Sequence, residues 1–398
     1  MKTVKLGEIA DLTVGFVGSM TEQYTESGVS FLRSLNIKPF EISSEDIRFI
    51  SEEFNTKISK SILHEGDVVI VRTGIPGTCA VVPKEYDGCN CSDIVIVHPN
   101  NELVDSTYLA GFINFWGQKQ VENNKVGAIQ KHFNVHTAEE MLITLPEIDV
   151  QRKIAMLLNG INGKIKNNQK INDNLYASIE AKYNQFFLQY NFYNNNKPYK
   201  DNGGKMKWSN ELNKEIPYKW SVKPLQDVCA LQYGYPLSTD LFSSDGLPVI
   251  RIRDIESNSF SAKTTEQIDN CYYTEPQDLL IGMDGNFQMN FWHKSGYIVN
   301  QRITRIRRTT LPLLLIKNQI EPYIVAKSKN VARSTVGHLS DDDIKNLFIL
   351  VPDDSLDISE YDLALEKIVQ NINENDKLIN LRNWLLPMLM NGQAIIAD

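Results

Sequence analysis

The strongest constraint on this chain is that it is written twice. Val14-Gly15-Phe16 is answered by Tyr233-Gly234-Tyr235 at an offset of 219 residues. Gly28-Val29-Ser30-Phe31-Leu32-Arg33 is answered by Gly246-Leu247-Pro248-Val249-Ile250-Arg251 at 218. Gly66-Asp67-Val68-Val69-Ile70-Val71-Arg72-Thr73-Gly74 corresponds to Gln277-Asp278-Leu279-Leu280-Ile281-Gly282-Met283-Asp284-Gly285 at 211, and His132-Phe133 to His338-Leu339 at 206. The offset shrinks between the apolar runs, where loops tolerate length changes. Short β-branched runs such as Asp67–Val71, Ile94–His98 and Ile298–Ile306, with a helical segment at Thr107–Gln120, predict a compact α+β domain in each copy.

Each copy is followed by a long helical stretch. In Val150–Tyr190, Ile154, Leu158, Ile161, Ile165, Leu175, Ile179 and Phe186 keep a three-four spacing, the pattern of a coiled-coil seam. Asn168 and Asn172 fall on that seam, where buried polar groups set register. The second stretch aligns at offset 214, placing Ile368, Ile372, Ile379 and Leu389 opposite Ile154, Leu158, Ile165 and Leu175 in the alignment. Residues 151–190 carry a net +4 and residues 353–392 a net −5, which suits two helices lying together. Asn191–Lys219, rich in Asn and Lys with Gly203-Gly204, has the composition of a flexible connector. The predicted order is a first domain (1–149), a spacer helix (150–190), a linker (191–215), a second domain (216–353) and a second spacer helix (358–392). The fold class is α+β, with an antiparallel helical pair and pseudo-two-fold symmetry.

Composition narrows the chemistry. The 398 residues carry a net charge of −8, unlike a non-specific nucleic-acid coat. Gly285–Ser340 nevertheless holds nine Lys or Arg against Glu321 alone, a net +8 that suits a polyanion site if the charges converge. No apolar run approaches the roughly 18 residues that span a bilayer, and Met1–Leu12 has no signal-peptide h-region, so a cytoplasmic protein with no membrane partner is expected. The five cysteines form an odd, sparse set that suits free thiols, and Cys79 with Cys89-Asn90-Cys91 lacks a zinc-site spacing. Gly163-Lys164 is not a phosphate loop, Glu180–Lys182 lies on a helix rather than a nuclease strand, and His132 and His136 do not fit a helical metal motif. No catalytic residue, cofactor site or metal site is expected in this chain.

The order of these parts resembles the specificity subunits of type I restriction-modification systems. The resemblance rests on Arg382-Asn383-Trp384-Leu385-Leu386-Pro387-Met388-Leu389-Met390-Asn391-Gly392-Gln393, similar to the family's Leu-Leu-Pro-x-Leu-x-x-Gly ending. Val4-Lys5-Leu6-Gly7-Glu8-Ile9, Gly66-Asp67-Val68-Val69 before an Arg-x-Gly, and Gln151-Arg152-Lys153-Ile154-Ala155 add to it. It departs where the first helix has Ile171-Asn172-Asp173 against Leu385-Leu386-Pro387, and where Met283 stands opposite Arg72.

The resemblance implies a non-catalytic subunit that reads one half of a bipartite double-stranded DNA site with each domain. Two modification subunits would dock on the helices with S-adenosylmethionine, joined where present by restriction subunits using ATP and Mg. The helix pair would set the gap between half-sites. A type IIB or orphan phase-variable specificity subunit, a coiled-coil interaction scaffold and a stand-alone methyltransferase are the rival readings.

Base readers should be polar side chains on loops at one edge of each domain. In the first domain these are Arg33, Ser34, Asn36, Arg72, Thr73, Gln130, Lys131 and His132. In the second they are Arg251, Arg253, Asp254, Gln288, Asn290, Arg302, Arg305, Arg333, Ser334 and His338. Arg305, Arg307 and Arg308 are expected to favour phosphates. Trp208, Trp220 and Trp384 are expected to be packing residues.

Overall fold

The computed structural model describes residues 1–117, 133–194, 197–330, 337–394 and 396. They divide into two compact units, Met1–Ile165 with Lys377–Asp398, and Lys166–Asp376.

The first unit is built on β1 (Lys2–Lys5), β2 (Ala10–Val14), β3 (Val29–Leu32), β4 (Val68–Val71), β5 (Cys79–Val81), β6 (Ile94–Pro99) and β7 (Leu142–Leu145). Its helices are α1 (Ser106–Phe112) and the first part of α2 (Ile148–Tyr183). The central sheet runs β2-β6-β4-β5, antiparallel throughout. All four residues of β4 are buried, because both faces of the sheet are covered. A strand's side chains alternate, so Val68 and Ile70 join the core under α1 while Val69 and Val71 join a second core beneath β3. Each such buried Val or Ile stabilises the fold by roughly 1.5–3 kcal/mol. The Asp105 carboxylate caps α1 through the Thr107 and Tyr108 amides, and the helix widens into a π-turn at Ile113–Gly117. The rest of the predicted Thr107–Gln120 helix lies outside the described residues.

The second unit repeats the plan with β8 (Ser221–Pro224), β9 (Cys229–Tyr233), β10 (Leu247–Ile250), β11 (Leu279–Gly282), β12 (Met289–Phe291), β13 (Ile303–Arg308) and β14 (Phe348–Val351). The helices are α3 (Leu313–Asn330) and parts of α2 and of α4 (Ser359–Met390). Its sheet runs β9-β13-β11-β12, the same order at equivalent positions. The edge pair β1–β7 recurs as β8–β14. The two-core arrangement recurs as well, with Leu279 and Ile281 on one side and Leu280 on the other.

Within each unit the long helices pack side by side and run antiparallel. In the first, Ile154 and Leu158 share a core with Leu386, Leu389 and Met390, and Arg382 donates to the Asn162 carbonyl at 2.7 Å. In the second, the seam carries asparagines: Asn168 donates to Asn375 at 2.9 Å and to Glu374 at 2.7 Å, and Asn371 donates to Asn172 at 2.7 Å. Lys182 pairs with Glu360, as the opposite charges of the two stretches suggest.

The structure corrects two expectations. The stretch read as a flexible connector carries two hairpins, Tyr193–Asn194 with Lys197–Pro198 and Met206–Ser209 with Lys214–Pro217. Phe192 stacks on Tyr199 at 4.8 Å and on Trp220 at 5.0 Å, fixing the stretch to the second unit's core. Of the three tryptophans read as packing residues, Trp220 is buried, while Trp208 and Trp384 are 59% and 64% exposed. Among the described residues, no helix is long and apolar enough to cross a membrane.

Candidate nucleic-acid interface

Most of the described candidate residues lie on three turns at one end of each sheet. The first turn follows β3 and its equivalent β10. In both units the chain enters a 3-10 turn whose last side chain reaches back to its beginning. The Arg33 amide donates to Asn36 Oδ1 at 3.0 Å, and the Arg251 amide to Asp254 Oδ2 at 2.9 Å. Asn36 is completely buried and also donates to the Ser43 and Glu45 carbonyls at 3.2 and 2.9 Å. Asp254 is 3% exposed and accepts from the Ser261 amide and hydroxyl. Both were expected to read bases. Their hydrogen-bonding groups instead hold the turn, because a buried polar group must be satisfied where it sits.

The arginines that open this turn remain accessible. Arg33 pairs with the Asp46 carboxylate at 2.9 Å and holds that carboxyl below its ordinary range. Arg251 lies over the Phe242 ring at 5.5 Å, and exposed Arg253 donates to the Ser261 hydroxyl at 3.2 Å.

The second turn follows β4 and β11, and the third precedes β6 and β13. In the first unit Thr73 donates to the Asp93 carboxylate, which Ser34 also reaches at 3.2 Å. Arg72 Nε donates to the Phe133 carbonyl at 3.1 Å, which fixes the arginine along the same end. In the second unit Asp284 occupies the place of Thr73. It accepts from His338 Nδ1 at 2.8 Å, and Arg302 Nε lies 3.7 Å away.

Elsewhere the structure reassigns residues. Asn290 donates to the Ile255 and Glu256 carbonyls at 3.1 and 3.2 Å and accepts from the Phe291 amide, a brace for the edge strand. Gln288 donates to Glu256 at 3.1 Å. Arg305, expected at the DNA, is 6% exposed, donates to the Cys271 and Tyr273 carbonyls at 2.8 and 2.6 Å, and has its pKa lowered by burial. Arg307 makes two 2.7 Å bonds to buried Asp278, and Arg308 pairs with Asp362 at 2.9 Å. Arg305 and Arg307 are thus tied to buried Asp278, while Arg308 stays half exposed beside Asp362. Among the described residues of the net +8 stretch, several cations are tied to acids rather than lined up in a free basic stripe: Lys294 meets Asp376, Lys317 meets Glu321, and Lys327 meets Asp343. Gln130, Lys131, His132, Arg333 and Ser334 lie outside the described residues.

In the second unit the turns enclose an open cleft of about 700 Å³. It gathers Arg251, Arg253, Gln288 and Arg302 with Ser238, Thr239, Asp284, Asn286, Asn300 and Gln301. Amides and arginines are the groups that match purine edges in the major groove. The sequence reading missed Asn286, Asn300 and Gln301. The available signal was that they sit in the Asp284-Gly285-Asn286 and Asn300-Gln301-Arg302 turns, beside residues already chosen. Both turns contain positive φ, at Gly285 (78°) and Arg302 (67°).

The family model described as Type I restriction modification DNA specificity domain matches residues 1–199 and 217–374. This chain belongs to that family. Among curated relatives of this specificity family, the chain is 27% identical over 153 residues to the Type I restriction enzyme EcoBI specificity subunit of Escherichia coli, covering 37% of this chain and 31% of that protein. It is 23% identical over 281 residues to the Type I restriction enzyme MjaIX specificity subunit of Methanocaldococcus jannaschii, covering 66% of this chain and 62% of the relative. The matches thus span less than two thirds of these relatives' lengths. Among solved structures, the type I restriction-modification S subunit from M. genitalium shares the fold with a TM-score of 0.53 at 14% identity, over 98% of this chain and 95% of that one.

Proposed function

We propose that this specificity-family chain reads a bipartite DNA site, one half with each unit, and positions modification subunits over the two halves. The observation that carries this reading is the repeated set of three turns, on the same strands in both units but with different side chains. A duplicated scaffold with divergent polar tips suits recognition of two different short sequences. Arg33, Ser34, Arg72 and Thr73 in the first unit, and Arg251, Arg253, Gln288, Arg302 and His338 in the second, are the proposed contacts.

The charge pattern shapes the proposal further. With a net charge of −8 and its central basic residues paired to acids, the chain offers few cations for phosphates. Phosphate neutralisation dominates the affinity of DNA binding. The chain therefore supplies selectivity, and its partners supply much of the grip. Exposed apolar side chains on the long helices, Met156 (74%) and Trp384 (64%), suit protein docking. S-adenosylmethionine chemistry resides in the modification partner, and ATP-driven restriction in a further subunit where one is present.

The test is to co-express the chain with its modification partner in a methylation-free host and map N6-methyladenine by single-molecule sequencing. A motif of two short halves with a fixed gap is expected. A stable complex that methylates no motif would leave the scaffold reading in its place.

A further inference from the structure

We infer that the residue closing the third turn is the position at which the two units diverge in base choice, and that Arg302 reads a guanine there. This rests on the proposed function and assigns chemistry to one of its contacts.

Asp93 and Arg302 are structural equivalents. Each has a left-handed backbone, φ 57° and 67°, directly before the central strand that pairs with its neighbours in the same order. Each faces the residue at the second turn, Thr73 in the first unit and Asp284 in the second. The polarity of the pair is therefore exchanged between the units. In the first, the third turn presents an acceptor, with one Asp93 carboxylate oxygen already engaged by Ser34 and Thr73. In the second, it presents a donor fork on a side chain that is 56% exposed.

Arginine pairs two-pronged with guanine O6 and N7, whereas a carboxylate can only accept, from the amino group of cytosine N4 or adenine N6 on a major-groove edge. The Arg302–Asp284 separation of 3.7 Å on an open surface is a weak tether that DNA can displace. His338, at 2.8 Å on the other Asp284 oxygen, keeps that carboxylate oriented when the arginine turns to a base. Asn300 and Gln301, just before it in the same turn and lining the same cleft, are placed for the adjoining base pair.

The experiment compares methylation motifs made by the full chain with its modification partner, as wild type, Arg302→Ala and Arg302→Lys. The wild type is expected to give a half-site with a G·C pair that becomes degenerate in Arg302→Ala, while the other half-site stays unchanged. Discrimination at that pair should fall about 5- to 150-fold. Arg302→Lys should keep part of it, since an ammonium can still donate to O6 and N7 but lacks the planar fork. The unchanged half-site shows that the variants fold and assemble. An unaltered motif in Arg302→Ala, or only slower methylation of the same motif, overturns the assignment while leaving bipartite reading standing. Absence of any motif with the wild type removes the bipartite reading itself, and this inference with it.

Discussion

Asp67 and Asp278 hold the same position in the two copies, yet exchanging each for asparagine should have different consequences. Each sits after a residue of positive φ, Gly66 (91°) or Gln277 (75°), and accepts from the amide three residues earlier, that of His64 at 2.8 Å or Glu275 at 2.7 Å. Asparagine retains an acceptor for this turn bond. The difference lies in the partner on the neighbouring strand: His98 at 2.7 Å in the first unit, Arg307 at 2.7 Å in the second. Asp278 is 1% exposed, and losing its charge takes the 3.8 Å carboxylate from nearly buried Arg305 and leaves Arg307 with exposed Glu275, 2.9 Å away. Breaking such a buried pair costs about 3 kcal/mol, the low end of the usual range because Arg307 is partly hydrated.

Asp67→Asn should cost about 1 kcal/mol or less, because His98 is 35% exposed and water screens the pair. It should also depend on pH. The Asp67 hydrogen bond raises the His98 pKa, so its contribution is full below the unfolded value near 6.5 and is lost as pH rises through the folded value. The Asp67→Asn penalty should therefore shrink as pH rises above about 6.5 and through the raised His98 value, while that of Asp278→Asn stays flat because arginine remains charged. A chain of two units need not unfold in one step, so the assay is amide hydrogen exchange of β4 and β11 followed by mass spectrometry. Equal penalties at pH 6, or a pH-independent Asp67→Asn penalty, would refute this account of the paired turns.

Other expectations follow from single contacts. A Cβ at Gly234 would collide with the Asn300 carbonyl oxygen, so Gly234→Ala should cost about 1–3 kcal/mol and loosen β9 in hydrogen exchange. Asn172→Leu strands the buried Asn371 amide and should lower stability by about 1–3 kcal/mol, whereas adding Asn371→Leu should recover most of the loss. Burial pushes the Cys89 and Cys229 thiols up to about 12, and Cys79 and Cys91 are fully enclosed, so a thiol reagent should label Cys271 in the native protein and all five cysteines after denaturation.

Much of this architecture could be read directly from the residues. The aspartates of Gly66-Asp67 and Gln277-Asp278 align because both hold the same turn, and the apolar spacing of Ile154 through Ile179 follows from a helix with one buried stripe. Asn168 and Asn172 were legible as seam residues for the same reason. The charge of Gly285–Ser340 misled because a local count omits acids just outside it or further along the chain: Asp278 to Arg307, Asp343 to Lys327, Asp362 to Arg308. The connector misled because its Asn-rich composition hides Phe192 and Tyr199, whose burial depends on Trp220. Asn36 and Asp254 have the right chemistry for base reading, and only the fold shows that their own backbone uses it.

The central claim is that each unit reads its own half-site. Replacing residues 1–146 with the corresponding first copy of another family member, and mapping the methylation motif made with the same modification partner, tests it most directly. One half of the motif should change while the other half keeps its sequence. A motif altered in both halves, or in neither, would contradict independent reading by the two units.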